Sequence, residues 1–132
     1  MTALYVREAA GAADEVGKRL ETAIKGRKFG VLGMIDLQGK MKEKGVDFRN
    51  ACRIYEVCNP QRAKQVLEKE MSVSTALPCR IALYQENDKV KIATLRSTQI
   101  LGLFNVPDLT AAAQDVEKDI LAMIDEAAAG GE

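Results

Sequence analysis

Two cysteines are the residues best placed to do chemistry: Cys58 in "YEVCNPQRA" and Cys79 in "LPCRIALY". Cys58 directly precedes Asn59-Pro60, a capping amide followed by a residue that needs no N–H in a first helical turn. The unpaired N–H groups and positive dipole end of such a helix favour thiolate over thiol. Cys79 follows Pro78 at the entrance to a run of strand-forming residues. Two sulfurs at one sheet edge would suit thiol redox or sulfur-transfer chemistry. Whether they meet depends on topology. Antiparallel strands bring the end of one and the start of the next to the same edge, whereas a parallel crossover puts them at opposite ends. The connecting "MSVSTAL" is long enough for either. The bland alternative is that each is a small buried hydrophobe, because free cysteine is among the most buried residue types. A soft-metal site drawing on Cys52, Cys58 and Cys79 with Glu56 is a third reading, with neither a CxxC pair nor a histidine behind it.

Other polar candidates are arginines and tyrosines on strands. Arg53 and Tyr55 belong to "RIYEVC", and Arg80 and Tyr84 to "CRIALY". An arginine–tyrosine patch on an open sheet face could grip an anionic ligand or a second subunit. Arg96, Ser97 and Thr98 precede a short helical turn and are an anion candidate, though equally an ordinary cap. "GMIDLQGKM" imitates a phosphate loop and fails: Gly33 and Gly39 are one residue too far apart, and Met41 stands where a magnesium-binding hydroxyl belongs. Asp36 and Glu43 are too local to serve as paired catalytic carboxylates.

Composition narrows the chemistry further. The 132 residues contain no histidine, which removes Ser-His-Asp and Cys-His pairs, imidazole metal sites and the commonest general base. Lysine plus arginine and aspartate plus glutamate both total 19, so no global field attracts nucleic acid. The length suits a single domain spanning residues 1–132. No apolar run approaches the roughly 20 residues of a membrane span, and the start shows no signal-peptide pattern. An odd set of three cysteines fits a reducing compartment, so a cytoplasmic location is expected.

These residues must be held by regular elements. Leu4 to Glu8 reads as a first strand. Ala13, Val16, Leu20, Ala23 and Ile24 recur at helical spacing. "FGVLGMID" is apolar on both faces, as in a central strand, with Gly30 and Gly33 leaving room for a helix. Asp36 caps a short helix that Gly45 stops. "RIYEVC" is the next strand, followed by a helix with a stripe of Ala63, Val66, Leu67 and Met71. "CRIALYQENDKVKIATL" is a hairpin around Asn87-Asp88. A last helix after Pro107-Asp108 carries Leu109, Ala113, Val116, Ile120, Met123, Ile124 and Ala127, and "AAAGGE" reads as a fraying tail. The pattern predicts an α+β two-layer sandwich, β-α-β-β-β-β-α, with a mainly antiparallel sheet, two long helices on one face and short helical insertions between strands.

The sequence resembles the bacterial and archaeal family called domain of unknown function 302. The resemblance runs from about Phe29 to Leu95 and rests on "FGVLGMIDLQGKMKEKGVDF", "RIYEVCNPQRA" and "ALPCRIALYQENDKVKIA", with the Asn-Pro and Leu-Pro pairs the most telling. It implies a fold similar in layout to the TATA-binding-protein-like group, a homodimer, and third and fourth strands as antiparallel neighbours, which favours the approach of Cys58 and Cys79. It carries no settled activity. The expectation is therefore a cytoplasmic homodimeric module that binds a small molecule or a protein without catalysis and without a cofactor, nucleic acid or membrane. The alternatives are a thiol protein using Cys58 and Cys79, and soft-metal binding at the cysteines.

Overall fold

The computed structural model describes residues 2–130. Five strands form one sheet: β1 (Leu4–Ala9), β2 (Gly30–Asp36), β3 (Cys52–Cys58), β4 (Cys79–Glu86) and β5 (Lys89–Leu95). Their order is β1-β5-β4-β3-β2, and every neighbouring pair is antiparallel. The α-helices are α1 (Ala13–Gly26), α2 (Leu37–Glu43), α3 (Pro60–Lys69), α4 (Ser97–Gly102) and α5 (Thr110–Ala128). The antiparallel α+β sandwich expected from the sequence is the observed architecture.

Local sequence explains the main elements. In α1, Asp14 and Glu15 occupy the first turn and Lys25 the last, each complementing the helix dipole. Its stripe of Val16, Leu20, Ala23 and Ile24 is buried against α5 and the sheet. The side chains of Ile81, Leu83 and Ile92 on β4 and β5 meet that stripe and are fully buried. Removing a large side chain there, as in Leu20→Ala, costs about 2–5 kcal/mol. The β4–β5 hairpin turns at Asn87 (φ 54°) and Asp88 (φ 65°), the paired left-handed conformation of a two-residue type I′ turn.

A second, smaller core lies beside the first. Val66 of α3, Val73, Leu101 of α4, Leu109 and Ala113 of α5 pack together. Val73 belongs to a 3-10 helix, Met71–Ala76, in the segment expected only to connect. Its sequence holds too few buried apolar positions to show a period. Met71, expected on the buried stripe of α3, is 69% exposed just past the helix end.

Two other expectations are corrected. "FGVLGMID" forms the edge strand β2, and β4 is central. Its apolar character lies largely in water: Leu32, Met34 and Ile35 are exposed, and the ladder shifts register between Val31 and Gly33. No helix presses on its glycines; a Cβ at Gly30 or Gly33 would meet only Cys58 or Glu56. The tail does not fray where expected, because α5 runs to Ala128 with Ala127 and Ala128 buried. Gly131 and Glu132 lie outside the described residues.

The sheet face turned away from α1 and α5 carries an unbroken aliphatic row. Ile35 pairs with Ile54, Ile54 with Ala82, Ala82 with Ala93, and Ala93 with Val6, crossing all five strands.

Candidate functional site

At one end of the sheet, β3 finishes, β4 begins and β5 finishes. The two cores do not close on each other there. Between them lies a cavity of about 120 Å³. Its deep wall is Phe29, Val57, Val66, Leu101 and Val116, and its exposed rim is Arg80 and Leu95. Cys58, Asn59, Arg62, Pro78 and Cys79 also line it.

The local chemistry that builds this end is explicit. Asn59 Oδ1 accepts from the backbone N–H groups of Gln61 (3.1 Å) and Arg62 (3.2 Å), so α3 starts where the sequence placed it. Pro60 fills the first helical position. The Leu77–Pro78 peptide is cis and delivers Cys79 to the start of β4. The Thr94 hydroxyl donates to the carbonyl of Arg80 at 2.8 Å, tying the ends of β4 and β5 together. Thr94 and Ser97 are both buried polar residues on the cavity wall.

Cys58 and Cys79 share this cavity, but not as ladder partners. Cys79 stands opposite Val57, and Cys58 opposite Gly30. Alternation therefore turns Cys79 toward the α1–α5 core, against which it packs, and Cys58 toward the other face. All three cysteines are free and half-buried. Burial pushes the Cys79 thiol up to about 11; the nearby Cys58 adds to this, and a hydrogen bond with Ser97 opposes it. Burial also raises the Cys58 thiol, against the expectation of a helix-start thiolate. The first-turn N–H groups of Gln61 and Arg62 donate to Asn59 Oδ1 and not to the Cys58 sulfur. Cys52 sits at the far end of β3, six residues or about 20 Å of strand from Cys58, and pairs with Tyr84. A three-cysteine metal site is thereby excluded, and among the described residues no cluster of three or more cysteine or carboxylate groups is placed to hold a metal ion.

The sheet also divides the arginine–tyrosine patch. Arg53 and Tyr55 lie on the helix-covered face: Arg53 donates to Asp14 of α1, and Tyr55 is buried. Burial raises the Tyr55 hydroxyl above its ordinary value, with Arg53 opposing the shift. Arg80 and Tyr84 lie on the opposite face, across from Glu56 and Cys52 of β3. Only Arg80 of these four reaches the cavity. In the Arg96–Thr98 anion candidate, the Thr98 N–H (3.1 Å) and hydroxyl (2.7 Å) both donate to Glu117 Oε1, and Arg96 pairs with the same carboxylate at 3.7 Å.

Arg62 was not singled out in the sequence, yet it lines the cavity and pairs with Asp115 at 3.0 Å. A signal existed: the Asn-Pro start puts residue 62 in the first turn of α3, beside Cys58. A second hollow of about 280 Å³ lies beneath the connection from α4 to α5, lined by Thr98, Asn105 and Thr110 among others. The cysteines, Arg53, Tyr55, Arg80 and Tyr84 lie outside it.

Comparison with known proteins agrees with the fold. The family model described as domain of unknown function DUF302 matches residues 5–127. A solved structure, the crystal structure of an uncharacterized conserved protein DUF302 from Bacillus stearothermophilus, is similar with a TM-score of 0.92 and 37% identity, covering 96% of this chain and 99% of that one. No curated protein matches.

Proposed function

The chain belongs to the DUF302 family, and on that premise we propose that it is a small-molecule-binding module that works without catalysis. The observation that carries this reading is the cavity between the two cores, mostly apolar in its depth and open at a rim that carries Arg80. Ligand sites are typically concave, mostly apolar and fitted with a few polar groups. Its volume is close to that of the ~150 Å³ apolar cavity known to hold benzene. The raised Cys58 and Cys79 thiols stay protonated at neutral pH, so they act as soft lining groups rather than nucleophiles.

Titration of the ¹⁵N-labelled protein with fluorobenzene tests the reading. Shifts confined to the amides of Val57, Cys79, Ser97 and Leu101 are expected. Shifts scattered over the surface, or none, would remove the cavity as a site. Turnover found in an unbiased substrate screen and abolished by one point substitution would end the non-catalytic reading.

The module is further proposed to be a homodimer in the cytoplasm. The aliphatic row from Ile35 to Val6 supports self-association, because it lies across strands where a two-fold axis can lay one row on another. At strand spacings of ~4.8 Å and two residues of ~3.3 Å per strand, a row one side chain wide offers on the order of 160 Å² per copy. Twice that is below the ~1,000 Å² of a robust interface, so the dimer is weak and concentration-dependent. Three cysteines in one small chain support a reducing compartment.

A further inference from the structure

Resting on the cavity reading above, we infer that the site selects a small amphiphilic monoanion, a carboxylate carrying about six carbons of hydrocarbon, with Arg80 holding its head group. Two charged side chains line the cavity, Arg62 and Arg80, and both are basic. The chain as a whole is neutral, so this local excess is not inherited from composition. Arg62 is already committed to Asp115 at 3.0 Å. Arg80 is different. It stands on the exposed rim and, among the described residues, makes no ion pair. Glu56 is its partner across the β3–β4 ladder and still does not close on it.

A guanidinium presents a planar fork that matches a carboxylate through two parallel hydrogen bonds. One uncommitted arginine suits one negative charge; a dianionic phosphate head would call for more donors than the rim supplies. The hydrocarbon part follows from the deep wall of Phe29, Val66, Leu101 and Val116, which offers no charged group. The buried Ser97 hydroxyl, 7% exposed as a residue, adds a polar point on the wall. Neutral thiols at Cys58 and Cys79 leave that positive rim uncompensated from within.

Hexanoate and hexan-1-ol are the probes, titrated into ¹⁵N-labelled wild type and Arg80→Gln at low salt. In the wild type hexanoate should bind about threefold to fivefold more tightly than hexan-1-ol, the size of effect expected for a solvent-exposed ion pair at low salt. In Arg80→Gln that preference should vanish while hexan-1-ol still shifts the cavity amides, which also shows that the variant is folded. Equal affinities in the wild type, or a preference that survives in Arg80→Gln, would overturn the anion assignment and leave the cavity reading standing. Failure of both probes to shift the cavity amides would overturn the two together.

Discussion

Val57, and not Cys58, stands opposite Cys79 across β3 and β4. That offset of one residue puts the two thiols on opposite faces at the same end of the sheet. Both line one cavity without being ladder partners. The consequences can be measured.

Cys79, held at about 11, carries roughly one thiolate per ten thousand molecules at pH 7. Iodoacetamide should label Cys58 and Cys79 more slowly than an unperturbed thiol at neutral pH, and mild oxidation should not link them. Rapid labelling of Cys58, or a Cys58–Cys79 disulfide in the folded protein, would restore the thiol-redox reading.

The same shift makes stability depend on pH with a definite sign. A thiol raised from 9.0 to about 11 binds its proton more tightly in the folded chain. Its contribution is therefore complete below pH 9 and is lost as pH rises towards 11. The stability gap between wild type and Cys79→Ala, followed by urea unfolding, should shrink by about 2–3 kcal/mol over that range. A gap that stays constant would contradict the buried thiol.

Gly17 and Tyr55 are in steric contact. A Cβ at residue 17 would lie 2.6 Å from the Tyr55 hydroxyl. Gly17→Ala gains roughly 1 kcal/mol of helix propensity, but overpacking costs about 1–3 kcal/mol. A net loss of stability is expected, recovered at least in part by adding Tyr55→Phe. Stabilisation by Gly17→Ala alone would show that α1 shifts freely on the sheet.

Self-association through the aliphatic row predicts concentration-dependent sedimentation above the 14.4 kDa of one chain. Val6, 38% exposed on an edge strand, can take a charge without disturbing the core. Val6→Lys should sediment as monomer at every concentration with its unfolding midpoint nearly unchanged. A dimer that persists in Val6→Lys would place the contact elsewhere.

The fold was legible because its signals are local. Asn59-Pro60 announces α3, Asn87-Asp88 announces the hairpin, and the stripes of α1 and α5 recur at helical spacing. Strand order was not local, so "FGVLGMID" read as central although it is the edge: an exposed apolar strand has the same composition as a buried one. The candidate site was half legible. Cys58, Cys79 and Arg80 could be singled out by type and position, and the structure brings all three to one cavity. The split of Arg53 and Tyr55 from Arg80 and Tyr84 depends on ladder register, which residue types alone do not fix. The capping role of Asn59 was legible, but its acceptance of two bonds, from the N–H groups of Gln61 and Arg62, depends on local geometry that residue types do not fix.

The central claim is that the space between the two cores at this end of the sheet is a ligand site. Ala63, half-buried on its wall, gives the most direct test through Ala63→Phe, which fills that space. Fluorobenzene titrated into wild type and Ala63→Phe should saturate the cavity amides of the wild type with a dissociation constant on the order of 1 mM, and leave the folded variant unshifted. Equal binding by the two proteins would contradict the account.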